Sequence, residues 1–294
     1  MARRAPDAPV DGHEVAFVLG GGGALGAHEV GMLQALADTG VRPGVVLGTS
    51  VGAINGALFA ADPTPAGARR LTDLWREVNR SDVFRGSVLR QVSTLVRSGT
   101  HMQALRPLRD MLREALPHVH IEDLELPFQC VAASIERAAE HWFTSGPLAE
   151  AVLASCAVPG ILPPVRVAGE HYIDGGIVNS IPVSRAVALG ARTIYVLQVG
   201  RLEHPLRPPR WPWEVGLVAF EIARRHRFQN DLATLPEGVR VHVLPTGGSA
   251  APAYNNLPGQ LRVRRLGRLA HRIDSAYEAS LAYLQELESP DAPA

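Results

Sequence analysis

The sequence predicts an α/β protein of three layers, in which a mostly parallel central sheet carries helices on both faces. Residues 14–20 (EVAFVLG) and 45–50 (VVLGTS) are short apolar runs typical of buried strands. Each run passes through a glycine-containing turn into a segment of helical character, which is typical of covered parallel strands. The length of 294 residues and the hydrophobic content of 46% suit one large domain of this class, or two small ones.

The first half of the chain continues with helical segments. Residues 27–40 and 51–62 supply the two helices that follow the first strands. From Pro65 to roughly Glu125 the sequence is mostly helical and amphipathic. The apolar positions of this stretch fit two interpretations, a cap over the core or the lining of an acyl-chain groove.

The second half returns to strands. A strand is predicted over 127–134, a hairpin over 165–176, and two further strands separated by a helix over 215–231. A charged amphipathic helix over roughly 260–287 ends the fold. Because no repeat and no clear linker interrupts this order, we expect a single domain over residues 13–287, with flexible tails at 1–12 and 288–294.

The composition narrows the function classes. A formal net charge of +0 gives no global field that would favour nucleic acid as a partner. The two cysteines, Cys130 and Cys156, are too few for a disulfide framework or a zinc site, and both lie in apolar stretches. Neither a secretory signal nor an apolar run of membrane-spanning length is visible, so we expect a cytoplasmic protein that needs no metal or cofactor.

The first chemical feature is a run of four glycines, residues 20–23, between a strand and a helix. Such a turn and the helix behind it present free N–H groups to an anion, either a nucleotide phosphate or the oxyanion of an acyl-transfer intermediate. Gly21, Gly23 and Gly26 match a dinucleotide fingerprint. However, the next strand ends in Gly-Thr-Ser rather than in an acidic residue, which argues against a dinucleotide.

The second feature is Gly48-Thr49-Ser50-Val51-Gly52. A sharp turn from strand to helix would expose the Ser50 hydroxyl for attack on a carbonyl and would aim the Val51 N–H at the resulting oxyanion. The flanking glycines would relieve the crowding of such a turn. The alternative interpretation is a serine that caps the following helix.

A nucleophilic serine needs a base, and Asp174 is the best candidate. It ends the strand-like segment HYID and precedes Gly175 and Gly176, so a tight turn would present its carboxylate at a strand end. The alternative is an ordinary Asp-Gly turn. None of the four histidines that follow in the chain comes after the last strand, where an α/β-hydrolase triad needs one: His204, His226, His242 and His271.

Four segments in this order resemble the patatin-like phospholipase family: 21–26 (GGGALG), 48–52 (GTSVG), 154–159 (ASCAVP) and 174–176 (DGG). The resemblance extends from Val15 to about Val199. It implies the patatin-like form of the three-layer fold and a Ser–Asp dyad that hydrolyses acyl esters of lipids without a histidine. One position departs from the family pattern, because Leu25 stands where the family usually has arginine or lysine.

By this resemblance Ser50 is the nucleophile of a lipid acyl hydrolase, acting on phospholipids or related lipids, and Asp174 is its base. The remaining implied roles are an oxyanion hole from the backbone N–H groups of Gly21, Gly22, Gly23 and Val51, and support of the turns by Gly48, Gly52, Gly175 and Gly176. Ser155 and Pro159 would shape the adjoining helix and turn. The alternatives are an acyltransferase that uses the same acyl-enzyme and a non-catalytic lipid-binding protein.

The segment that contains Trp211 and Trp213 combines aromatic, apolar and arginine-rich patches. Tryptophan and arginine at an apolar edge suit a reversible contact with lipid head groups. A core-facing helix after a proline loop explains the same residues and is the favoured interpretation. Peripheral membrane contact is therefore kept as a hypothesis.

Overall fold

A computed structural model of the chain describes residues 13–80, 105–116, 120–199, 205–210, 212–248 and 266–289. Within these residues the strands are β1 Val15–Leu19, β2 Val45–Thr49, β3 Phe128–Ser134, β4 Ala139–Phe143, β5 Val165–Val167, β6 Glu170–Asp174, β7 Thr193–Leu197 and β8 Arg240–Val243. The α-helices are α1 Ala27–Asp38, α2 Val51–Ala61, α3 Pro65–Arg80, α4 Arg106–Ala115, α5 Leu148–Ser155, α6 Gly176–Asn179, α7 Val183–Ala188, α8 Pro212–Ala233 and α9 Leu266–Glu288. Both predicted tails lie largely outside the described residues.

All eight strands belong to one sheet of order β5-β6-β3-β2-β1-β7-β8, with β4 paired to β3. Five neighbouring strands run parallel to one another: β3, β2, β1, β7 and β8. Pairing is antiparallel for β4 and β6 against β3, and for β5 against β6. The predicted mostly parallel sheet is confirmed, with an antiparallel end that the sequence pattern did not indicate.

Helices cover both faces of the sheet because the parallel strands are apolar on both sides. In β1, Phe17 and Leu19 point into a core shared with α1, α2, α5 and α9. Ala16 and Val18 point into a second core, built with residues of α7 and α8. The predicted three layers are therefore present.

The predicted hairpin over 165–176 is formed by β5 and β6, with Ala168 at φ 49° and Gly169 at φ 94° in its turn. The strand β4 was not predicted. Its sequence AEHWF lies mostly exposed or half-buried at an edge, so it lacks the apolar run that marks a buried strand. In the predicted helical stretch from Pro65 to Glu125 the structure describes α3 and α4, and residues 81–104 and 117–119 fall outside the described residues.

The register of β3 brings the ends of two strands together. The β4 strand occupies one edge of β3 from Cys130 to Ser134, so β2 and β6 must share the other edge. On that edge the last residue of β2, Thr49, is opposite Val131. The last residue of β6, Asp174, is opposite Ala132. The two strands run in opposite directions and meet end to end.

No helix in the described parts of the chain has both the length and the apolar content that crossing a bilayer would require.

Candidate active site

Ser50 occupies the single residue between β2 and α2 in a strained conformation. Its φ of 55° and ψ of −123° lie in a region that non-glycine residues rarely adopt. The Ser50 hydroxyl makes no capping hydrogen bond to the helix. The helix-cap interpretation therefore does not describe this serine, and strain of this kind is concentrated at functional sites.

The glycines on either side of Ser50 allow α2 to start against the ends of β1 and β2. A Cβ atom at Gly48 would lie 2.5 Å from the Gly52 carbonyl oxygen and 2.6 Å from the Ala53 Cα. A Cβ atom at Gly52 would overlap the carbonyl group of Leu19. Both positions therefore need glycine for space, which fixes where the tight turn and Ser50 can sit.

Two residues at the end of α5 hold the backbone of Ser50 from both sides. The Ser50 N–H donates to Ser155 Oγ at 2.9 Å, and Cys156 Sγ donates to the Ser50 carbonyl at 3.1 Å. All of these groups are buried. From the sequence, Ser155 was expected only to shape the adjoining helix and turn. Nothing local in A-S-C-A-V-P indicates a hydrogen bond to a residue about a hundred positions earlier in the chain.

Asp174 is buried at the end of β6. Its Oδ1 accepts the Gly176 N–H at 2.7 Å, and its own N–H donates to the Ala157 carbonyl at 2.9 Å. Its Oδ2 is buried and has no partner in good hydrogen-bond geometry among the described residues. Burial raises the pKa of Asp174 from 3.8 to about 6, although the Ser50 hydroxyl and the Gly176 N–H both stabilise the charged form. The carboxylate thus holds the turn through Oδ1, and the Ser50 hydroxyl lies close enough to stabilise its charged form.

The two glycines after Asp174 fit α6 against the sheet. A Cβ atom at Gly175 would overlap the Val131 carbonyl oxygen, and one at Gly176 would lie 2.8 Å from Phe220 Cζ. The turn is consequently packed between β3 and α8, and Asp174 has little freedom to swing away from Ser50.

The glycine-rich turn passes over the Ser50 side chain. A Cβ atom at Gly21 would lie 3.5 Å from Ser50 Cβ. The N–H of Gly21 donates to the Ser180 carbonyl at 3.0 Å, so the expectation that this group faces an oxyanion is corrected. The N–H groups of Gly22, Gly23 and Val51 have no acceptor among the described residues. Gly23 has a φ of 56°, which suits glycine and turns the chain there.

A comparison with protein-family models matches residues 17–187 to "Patatin-like phospholipase". The chain belongs to the patatin-like phospholipase family. The resemblance carried by the four sequence motifs is thereby confirmed.

Curated relatives include patatin-like phospholipase domain-containing protein 7 of Mus musculus, 33% identical over 191 residues, and lysophospholipase NTE1 of Coccidioides immitis, 31% identical over 200 residues. The alignments cover 64% and 65% of this chain but only 14% and 12% of those proteins. Among solved structures, VipD from Legionella pneumophila aligns with 94% of this chain and 67% of its own, at 15% identity and a TM-score of 0.47.

The three described histidines that follow Asp174 in the chain make their hydrogen bonds to other side chains. His226 contacts Asn230 on α8, His242 contacts Tyr283, and His271 contacts Ser275 on α9. His204 lies outside the described residues. In the part of the chain that the structure describes, no group of three or more His, Cys, Asp or Glu side chains is arranged to hold a metal ion.

A buried polar network supports the glycine turn of this family member. The Asn55 amide donates to the Gly26 carbonyl at 3.0 Å and to Glu29 Oε2 at 2.7 Å, and Trp75 Nε1 donates to Asn55 Oδ1 at 2.8 Å. Burial raises the pKa of Glu29 well above its usual value, although the bond from Asn55 opposes the rise. Where the family usually has a cation, the half-buried Leu25 contributes none, and this network ties the turn to α2 and α3 instead.

Proposed function

We propose that the protein is a lipid acyl hydrolase that cleaves carboxyl esters through a Ser50–Asp174 dyad. One observation carries the proposal: a strained serine at the end of one strand lies near the buried carboxylate of an aspartate at the end of another, and Oδ2 of that carboxylate has no partner in good hydrogen-bond geometry among the described residues. Membership of the patatin-like phospholipase family supports an ester of a lipid as the substrate class.

In the first half of the reaction Ser50 Oγ attacks the ester carbonyl carbon and its proton passes to Asp174 Oδ2. The carbonyl oxygen becomes an oxyanion, for which the N–H groups of Gly22, Gly23 and Val51 are the proposed donors. The tetrahedral intermediate collapses as the bond to the alcohol oxygen breaks. Protonated Asp174 returns its proton to that oxygen, and an acyl ester remains on Ser50.

In the second half a water molecule attacks the acyl carbonyl and gives a proton to Asp174. The second tetrahedral intermediate releases the fatty acid when the bond to Ser50 Oγ breaks, and Asp174 returns the proton to the serine. The pKa of about 6 suits this role, because the carboxylate is ionised near neutral pH and is a stronger base than an exposed aspartate.

Rigid positioning supports a dyad with no third member. An α/β-hydrolase triad uses an acidic residue to orient its histidine. Here the base is itself part of a strand and bonds to the backbone N–H of Gly176. The nucleophile is fixed by Ser155 and Cys156. The proposed pair therefore needs no histidine between the acid and the serine.

Labelling with a fluorophosphonate probe and hydrolysis of a p-nitrophenyl acyl ester test the proposal. We expect the native protein to react with both reagents, Ser50→Ala to lose both reactions, and Asp174→Asn to lose hydrolysis. Ser145→Ala and Asp110→Asn are matched controls, since both residues are exposed and outside the site. Full activity in Ser50→Ala or Asp174→Asn would refute the dyad.

The same assay separates the alternative functions. An added alcohol that appears as an acyl ester product would indicate acyl transfer from the same acyl-enzyme. A folded native protein that fails to react with the probe would indicate a non-catalytic lipid-binding protein. A panel of lipids then defines the head group and chain length.

A further inference from the structure

The N-terminal half of helix α8 exposes apolar side chains and buries charged ones. Val215 and Ile222 are each 54% exposed, and Ala219 between them is exposed as well. These residues are four and three positions apart, so they lie along one face of the helix. On the inner face the charged side chains of Glu221 and Arg224 are buried. We call Val215, Ala219 and Ile222 the α8 face.

The buried charges of α8 are compensated within the protein. Glu221 accepts hydrogen bonds from Arg224 Nη2 and Arg225 Nε, both at 2.9 Å. Glu214, also buried, accepts the backbone N–H of Arg210 at 2.6 Å. Because the Glu221 carboxylate is paired with two arginine side chains, it adds little negative potential beside the α8 face.

The exposed charge near the start of α8 is positive. Arg207 and Arg210 are exposed in the segment that leads into the helix, whereas both acidic residues in the described stretch from 205 to 226 are buried. An exposed apolar strip with a basic border is complementary to a lipid bilayer that carries anionic head groups.

Helix α8 packs beside the proposed active site through a side chain that is not part of the α8 face. The Phe220 ring of α8 lies close enough to Gly176 that a Cβ atom there would clash at 2.8 Å. The next residue, Ile177, is 39% exposed. Asp174 is only three positions before Ile177, so a lipid surface on this side would hold its acyl esters close to the dyad.

We propose that the α8 face and Ile177 dock the protein onto the surface of an anionic lipid bilayer. The inference rests on the proposed function for the identity of the substrate, but the docking itself does not depend on catalysis. A second copy of the chain fits this surface less well, because two such faces would bring their basic borders together. The side chain of Trp213 lies outside the described part of α8, so the inference is independent of the tryptophans.

Co-sedimentation with phosphatidylcholine vesicles, with and without phosphatidylglycerol, tests the docking. We expect the native protein and Ser50→Ala to bind the anionic vesicles equally. The double variant Val215→Asp, Ile222→Asp should bind at least about tenfold more weakly, because two apolar side chains no longer leave water. Leu287→Asp is the matched control, since Leu287 is 37% exposed on α9, which packs against α1 and α3, and it should bind like the native protein.

A second measurement compares hydrolysis of vesicle lipid with hydrolysis of a soluble ester. The rate on vesicle lipid divided by the rate on the soluble ester should fall in the double variant. The same ratio should not fall in Leu287→Asp. Equal binding by the native protein and the double variant would overturn the docking proposal, as would a dimer of the native protein that the double variant lacks. Binding by a protein that hydrolyses nothing would uphold docking and reject the proposed function, so the two failures are distinguishable.

Discussion

Replacing Asp174 by asparagine should make the protein inactive but more stable at neutral pH. The variant keeps the acceptor for the Gly176 N–H, and its amide can donate to Ser50 Oγ in place of the unpartnered Oδ2. It also removes a charge that the folded protein must bury. If Asp174 is the base, as proposed, its burial has a cost in stability of the kind that is common at active sites.

The magnitude follows from the pKa of the buried group. Folding raises the pKa of Asp174 from 3.8 to about 6, so the folded state binds the proton more tightly than the unfolded state. The native protein therefore loses stability as the pH rises above about 4, and the loss is complete above about 6. A rise of about two pH units corresponds to roughly 3 kcal/mol. The advantage of Asp174→Asn should grow by about 2 to 3 kcal/mol between about pH 4 and pH 8.

Urea denaturation of both proteins at several pH values measures this difference. Only its change with pH matters, so any constant effect of the amide itself cancels. Asp110→Asn is the control, because Asp110 lies exposed on α4 and outside the site. A difference that stays constant from about pH 4 to pH 8 would refute the view that burial sets the pKa of Asp174.

Three further predictions concern the same end of the sheet. The kcat/KM for a soluble ester should rise with pH through about 6, since Asp174 must be ionised to accept a proton. A kcat/KM that does not change with pH near 6 would argue against Asp174 as the base. Ser155→Ala should lower kcat by about tenfold or more while the protein stays folded, because the buried Ser50 N–H loses its acceptor. Ser155→Thr keeps a hydroxyl at this position and should restore part of the rate. An unchanged kcat for Ser155→Ala would exclude a positioning role for Ser155. Burial raises the pKa of Glu29, so the native protein should lose stability as the pH rises above about 4.5, and Glu29→Gln should remove part of that loss. Urea denaturation of both proteins at several pH values measures the effect. An unchanged pH dependence in Glu29→Gln would contradict the prediction.

Local patterns predicted most of the fold. Apolar runs marked the central parallel strands β1, β2 and β3 because both faces of those strands are largely buried, and helical spacing marked the helices that cover them. The edge strand β4 was missed because an edge is largely solvated and shows no such run. The antiparallel end of the sheet depends on pairing between distant segments, which no local pattern specifies.

The candidate site was predicted in its parts but not in its contacts. G-x-S-x-G and Asp-Gly-Gly marked two tight turns because space alone requires glycine there. Two of its hydrogen bonds depend on tertiary packing between distant segments. The Gly21 N–H donates to the Ser180 carbonyl, and the Ser50 N–H donates to Ser155 Oγ. The network around Glu29 carries no sequence signal either, since a glutamate in a helix is normally exposed.

The register of β3 supports the proposal of a site with two catalytic residues. Ser50 and Asp174 each stand at the end of a strand hydrogen-bonded to the same edge of β3, so sheet pairing rather than a loop sets their separation. Side chains alternate along a strand, and a slip of β6 by one residue would turn Asp174 to the opposite face. The Gly175 contact with the Val131 carbonyl and the bond from the Asp174 N–H to Ala157 oppose such a slip. The position of the proposed base is thus determined by the same hydrogen bonds that hold the sheet together.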